Sequence, residues 1–297
     1  MMIFGVAVAE YIVILLLIVL TLIYLTLIFR HKSLRMHWKD SPPMAVQIIS
    51  ITLMSIFAGA FAILWLLLSF KLLENVSENS VLIIAVGFLF VSMQIFYITA
   101  GLATFAQRIY ILLFPLKPLR IANSVIVYSA VIVGGAAALF SAMPNVVHMP
   151  WNVKPVPEGC YSFNCSALLT RGTYSTGVIM ALSISTVLLG TILQYVYYQF
   201  RNSNQTAKTE KLNQFARYSF FLRVIFETAP FLIDTVLGNT VKITIGTYLG
   251  PYGVLGCSLD FFTCTFLYYN LVVKKRQRWM ILTKTNAGTR VHTTNTR

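Results

Sequence analysis

Residues 6–29 read VAVAEYIVILLLIVLTLIYLTLIF, and Arg30, His31 and Lys32 follow at once. Glu10 is the only charged residue in that run. A helix needs about 20 apolar residues to cross about 30 Å of hydrocarbon, and a helix satisfies its own backbone hydrogen bonds there. A barrel strand would instead alternate apolar and polar over about ten residues, which this stretch does not do. The stretch therefore predicts a membrane-spanning helix. A cleaved signal peptide is the competing reading, but Met1–Glu10 carries no Lys or Arg, and the apolar core runs well beyond the ordinary 7 to 15 residues. The expectation is a retained first helix whose amino terminus lies outside.

The same pattern recurs along all 297 residues, 57% of which are hydrophobic and 11% charged. Further apolar segments occupy 44–69, 81–107, 121–143, 174–200, 218–238 and 248–273, leaving a tail at 274–297. No connection is long enough for a second domain, so one domain over 1–297 is expected. The predicted fold is all-α, a bundle of seven transmembrane helices with the amino terminus outside and the carboxy terminus cytoplasmic.

Charge supplies the orientation. The net charge of +14 would point to nucleic acid in a soluble protein, but here every Lys and Arg except Arg223 lies in a short connection or the tail. Arg30, Lys32, Arg35 and Lys39, then Arg108, Lys117 and Arg120, then Arg201, Lys208, Lys211 and Arg217, and seven residues of the tail fall on one side, 18 in all. The other side holds 4, namely Lys71, Lys154, Arg171 and Lys242. Basic loops face the cytoplasm. The expected partner of this charge is the lipid bilayer, with no nucleic acid. Sequons at Asn75 and Asn164 fall on the outer side, where they can be glycosylated, while Asn204 falls inside.

Cys160 and Cys165 share the outer 144–173 connection, an oxidising setting that favours a disulfide over two free thiols. Cys257 and Cys264, at i and i+7 of the last segment, read as packing residues. The four histidines are scattered without ligand spacing, so no metal or other cofactor is expected.

Charges within spans are costly and mark candidate sites. Arg223, Glu227 and Asp234 fall at i, i+4 and i+11, on one predicted inward face. Rising about 1.5 Å per residue, Arg223 would lie about 8 Å and Glu227 about 14 Å above the cytoplasmic end. Their ion pair reads equally as a clamp between helices or as a ligand or switch element. Asp260, about 20 Å from its own end, has no base at helical spacing and must be protonated, ion-bound or hydrogen-bonded to another helix. Phe90, Gln94, Tyr97 and Gly101 form a second inward stripe, a packing surface or the wall of a small-ligand site. Trp65 and Tyr174 read as interfacial anchors. Pro230 removes a helix hydrogen bond and marks a candidate hinge.

Seven spans, an outside amino terminus and basic inner loops resemble the layout of G-protein-coupled receptors. Gly159-Cys160-Tyr161-Ser162-Phe163-Asn164-Cys165 with the following helix, and Leu249-Gly250-Pro251-Tyr252-Gly253-Val254-Leu255-Gly256 leading to Leu259-Asp260, resemble nematode serpentine chemoreceptors of class BC. The resemblance covers mainly the second half. It implies a chemosensory receptor in the plasma membrane, in sensory cilia, that binds a small-molecule chemical ligand and engages a heterotrimeric G protein.

Departures from rhodopsin-like receptors are equally plain. Gln107-Arg108-Ile109-Tyr110 keeps an Arg, and a Tyr two positions on, but no acid before the Arg. Phe226-Glu227-Thr228-Ala229-Pro230 lacks a Trp, and Tyr268-Tyr269-Asn270-Leu271 lacks an Asn-Pro pair. Coupling through Arg108 and Tyr110 is implied by the resemblance, against the plainer reading of Arg108 as a solvated loop residue. No Lys lies in 248–273, which argues against a retinal Schiff base. The rival function is a secondary transporter using Glu227 and Asp260, with Gly250-Pro251 breaking a helix. No clear internal repeat supports it. A channel lacks a polar ring, and an enzyme lacks a nucleophile beside a base.

Overall fold

A computed structural model describes residues 4–115, 117, 119–147, 155–156, 160, 173–200, 207–241 and 251–274. Among these residues every regular element is helical. The helices are α1 (Phe4–His31), α2 (Leu34–Asp40), α3 (Pro42–Ser69), α4 (Ser77–Leu113), α5 (Leu119–Val147), α6 (Thr173–Phe200), α7 (Ala207–Arg223), α8 (Ala229–Thr240) and α9 (Tyr252–Tyr268). A π turn, Val224–Thr228, joins α7 to α8 without a gap, and a second, Tyr269–Lys274, extends α9. Five helices, α1 and α3 to α6, are long and apolar enough to cross a membrane. Their outward faces are apolar too, as with Leu16, Ile121 and Ile132, which suits a membrane-embedded protein.

All seven apolar segments are helical where they are described, and the differences lie at their ends. The 30–43 connection contains α2, a helix too short to leave an apolar signature. α4 runs to Leu113 rather than stopping at residue 107, so Arg108 belongs to a helix and is buried; its reading as a solvated loop residue is corrected. The sixth segment begins eleven residues before 218, because α7 carries a polar stretch, AKTEKLNQF, which hydropathy leaves out. Residues 248–250 of the seventh segment, Cys165, Asn164 and the tail from 275 lie outside the described residues.

The bundle closes as a ring. α1 packs on α3 and α9, α3 on α4, α4 on α6, α6 on α7, and α7 with its π turn on α9. α5 lies outside this ring against α3, α4 and α6. One core cluster spans α1, α3, α4 and α9 and includes Tyr11, Phe61, Trp65, Phe90 and Phe261. Trp65 is 0% exposed and stacks on Tyr11 with ring centroids 6.3 Å apart. It is a core residue, not the interfacial anchor its position near a helix end suggested. The side chain of Tyr174 lies outside the description.

α3 opens with Pro42 and Pro43, whose fixed φ suits a first turn that has no use for their missing N–H groups. It closes in a Schellman motif. Lys71 takes φ 57°, its N–H reaches Leu68 O, and the Leu72 N–H reaches Leu67 O. The next turn brings Asn75 against Val156, where its side-chain amide donates to Val156 O at 2.8 Å and accepts from Val156 N at 3.0 Å. Val156 is buried in the main core cluster. This sequon asparagine therefore pins Val156 to the bundle.

The break in the sixth segment has a local cause. Pro230 sits in the first turn of α8 and cannot donate to the Phe226 carbonyl four residues back. The Phe226 carbonyl faces α9, where a Cβ at Gly256 would lie 2.1 Å from its oxygen. Gly256 thus lets two helices touch backbone to backbone. Gly256→Ala is expected to cost about 1 to 3 kcal/mol by overpacking. Gly177→Ala is expected to cost nothing, because a Cβ there would meet no atom within 4 Å. Thermal unfolding of the two purified variants checks the contrast.

Candidate functional site

The candidate residues gather where α4, the end of α7, its π turn and α9 meet. Arg223 is 1% exposed. Its Nε lies 3.7 Å from Glu227 Oε2 and 3.6 Å from Asp260 Oδ2. Its guanidinium carbon stands 4.2 Å over the Tyr97 ring, within cation–π range. Among the described residues none of its three side-chain nitrogens makes a hydrogen bond, and Glu227 Oε2 makes none either. The guanidinium is thus held by charge and by the ring face, at separations about 1 Å longer than those of a charge-assisted hydrogen bond.

Each carboxylate has other partners. Tyr97 donates its hydroxyl to Asp260 Oδ2 at 2.5 Å, and the Cys264 thiol, one turn along α9, donates to Oδ1 at 3.3 Å. Ser219 of α7 lies 3.3 Å from the same sulfur. Gln94 donates to Glu227 Oε1 at 2.9 Å and lies 3.4 Å from Cys257 Sγ. Asp260 is therefore hydrogen-bonded across helices, one of the three readings left open, and it also faces an Arg that spacing along α9 could not reveal. Gly101 makes room for Arg223, because a Cβ there would stand 1.7 Å from Nη1.

Several expectations change at this point. Cys257 and Cys264 are buried free thiols that contact the carboxylates, so they are more than packing residues. Asp234 does not join the cluster; it is half-buried and accepts a hydrogen bond from Tyr252 on α9. The π turn accounts for this, since one extra residue rotates the following helix by about 100°. Phe90 is buried but stacks on Phe61 at 6.0 Å, away from the charges. Cys160 is buried, while its expected partner Cys165 lies outside the described residues.

A second buried network occupies the end of the bundle next to α2. Arg108, 2% exposed, donates to Ser41 Oγ at 2.9 Å and to Gln107 Oε1 at 2.8 Å. Ser41 donates to the same Gln107 oxygen at 2.6 Å, and Gln107 Nε2 donates to Asn123 on α5 at 2.7 Å. Ser41 is the N-cap residue of α3, yet its hydroxyl serves this network and not the helix end. His37 Nδ1 meets the Tyr268 hydroxyl at 2.8 Å. Tyr110 stays outside the network, half-exposed against Phe114. Ser41, Gln107 and His37 carried no sequence signal, because each looks like an ordinary loop or helix-end residue.

No family model matches the chain, and no curated protein matches it. Among the described residues no group of three or more His, Cys, Asp or Glu side chains is placed to hold a metal ion. The arrangement is suited to holding charge in a water-poor interior and to changing the contacts of Arg223 when helices shift.

Two measurements follow. Two carboxylates face one guanidinium, so Arg223→Met leaves both without a cation and is expected to cost about 3 to 5 kcal/mol. Glu227→Gln leaves one acid for one base and keeps an oxygen to accept from Gln94, so it is expected to cost less than Arg223→Met; denaturant or thermal unfolding ranks the two. For His37, outside the apolar spans, burial and the nearby Lys32 ammonium push the imidazole down to about 4 from its ordinary 6.5. The unfolded chain then binds the extra proton between these values, so stability is full above about pH 6.5 and falls towards pH 4. His37→Gln is expected to flatten that part of the stability curve.

Proposed function

We propose that the chain is a chemosensory receptor of the G-protein-coupled type, with seven transmembrane helices, the amino terminus outside and the basic connections and tail in the cytoplasm. The sixth and seventh spans are α7 with its π turn and α8, and α9 with its terminal π turn. The observation that carries the reading is the loose triad of Arg223, Glu227 and Asp260 at a helix break. A shift of about 1 Å turns either 3.6–3.7 Å contact into a hydrogen-bonded ion pair. Such an element has two arrangements that a ligand can bias through differential affinity.

The ligand is a small molecule that enters from the outer end, above Gln94 and Glu227. Val156, tied to Asn75, belongs to the 144–173 connection that roofs this end. A disulfide between Cys160 and Cys165 shapes the roof, and glycans on Asn75 and Asn164 face outward. Movement of α7 against α9 alters the basic inner surface that a heterotrimeric G protein reads, near the buried Arg108. The resemblance to nematode serpentine chemoreceptors supports the plasma membrane of sensory cilia as the location.

One observation favours a second reading. Buried carboxylates beside an irregular helix also occur at the midplane sites of secondary transporters, and Glu227 lies in the π turn, where the helix departs from regular winding. The two readings part in one experiment. The full chain, expressed in a G-protein reporter cell, is challenged with volatile and water-soluble compounds while uptake and membrane current are recorded. A ligand-dependent G-protein signal that Asp260→Asn abolishes or makes constitutive is expected, at unchanged surface expression. Uptake or current without that signal overturns the receptor in favour of the transporter.

A further inference from the structure

A cleft of about 340 Å³ opens on the flank of the bundle between Trp38 and Pro42 on one wall and α5 on the other. It lies away from the Arg223 cluster and borders the Arg108 network at Asn123, whose side-chain oxygen accepts from Gln107. Its α5 wall is one helical stripe. Asn123, Ser124, Val127, Tyr128 and Val131 line the cleft, and Arg120 lies three and four residues before the first two of them, on the same face at the start of the helix.

Polarity changes in order along that stripe. Arg120 supplies a cation, Asn123 and Ser124 supply an amide and a hydroxyl, and Val127, Tyr128 and Val131 supply an apolar floor. The distance from Arg120 to Val131 is about 16 Å along the helix axis. Trp38 lines the opposite wall, and Arg35 and Lys39 flank it on α2, three residues before and one after. Lys39, Arg35 and Arg120 are all exposed, as are the rings of Trp38 and Tyr128. Exposed aromatic rings beside exposed cations mark the boundary between headgroups and hydrocarbon.

We infer that this cleft binds one anionic glycerophospholipid of the cytoplasmic leaflet. Its phosphate and acidic headgroup lie between Arg120 and the Arg35–Lys39 face, its ester groups accept from the Asn123 amide, and one acyl chain lies along Val127, Tyr128 and Val131. The order of charge, hydrogen-bonding group and hydrocarbon in the lipid matches the order of residues on the stripe. The volume suits part of one lipid, not a second protein. Basic residues at the cytoplasmic surface each gain about 1 kcal/mol from anionic lipid, which is about a five-fold change in binding. The leaflet assignment rests on the proposed orientation, whereas the lipid class rests on the cleft.

The test uses the full chain in detergent, supplied with phosphatidylserine or phosphatidylcholine in mixed micelles, with lipid adducts counted by native mass spectrometry. One phosphatidylserine adduct is expected, retained in preference to phosphatidylcholine. Arg120→Gln and Lys39→Gln are each expected to weaken it about five-fold, with the melting temperature unchanged because both side chains are exposed. Lys211→Gln, on α7, is the control and is expected to leave the adduct intact. Equal retention of the two lipids, or equal loss in Lys211→Gln, overturns the site. Orientation has a separate readout in glycan mapping: a glycan on Asn204 with none on Asn75 or Asn164 overturns the leaflet and the receptor topology, whatever the adduct count.

Discussion

A guanidinium withdrawn from water must find its counter-charges inside the fold, and Arg223 finds them on two elements at once. Glu227 comes from the π turn of its own helix and Asp260 from α9. The local architecture follows from bringing those three groups together. α4 must carry a glycine at 101 so that the guanidinium fits beside its backbone, and Tyr97 one turn earlier so that a ring face covers it. α9 must approach closely, which Gly256 permits against the Phe226 carbonyl. The π turn departs from regular winding where Glu227 turns inward, and Pro230 follows in the next turn. A regular α-helix in place of that turn would move either Glu227 or the whole of α8 off its present face.

Much of this was legible in the sequence because the membrane penalises charge so heavily. Arg223, Glu227 and Asp260 stood out against apolar neighbours, and the Gln94, Tyr97, Gly101 stripe pointed inward by spacing alone. Their meeting was not legible, since Asp260 and Arg223 are 37 positions apart and periodicity describes only one helix at a time. Asp234 was misplaced for a specific reason: i, i+7 spacing assumes 3.6 residues per turn throughout, and the π turn breaks that assumption. Pro230 did signal the disruption, but the unwinding lies on the amino-terminal side of the proline, where its missing donor leaves a carbonyl free.

Arg108 and Trp65 show the opposite limit. A positive charge near the end of an apolar run usually marks the membrane boundary, yet Arg108 is enclosed because Ser41, Gln107 and Asn123 form a chain of donors and acceptors around it. Those partners come from three different helices or their ends, and none is unusual in its own segment. Trp65 sits near the end of α3, where aromatic belts occur, but its helix face points at Tyr11. Position along the helix was readable; the direction of the side chain required the neighbouring helix.

The two buried networks share the same pair of helices. α4 carries Tyr97 in one and Gln107 and Arg108 in the other, while α9 carries Asp260 in one and Tyr268 in the other. Asp260 and Tyr268 are eight residues apart, about 12 Å along the axis. Between them lies a small apolar void of about 10 Å³ whose lining includes Gln47, Cys264 and Tyr268. Packed interiors resist graded deformation, so a displacement of α9 against α4 is passed along the helix and is not absorbed by its neighbours. Asp260 and the Tyr268 hydroxyl, which meets His37, thus stand on one helix, so that α9 ties the interior charge cluster to the end of the bundle that α2 covers.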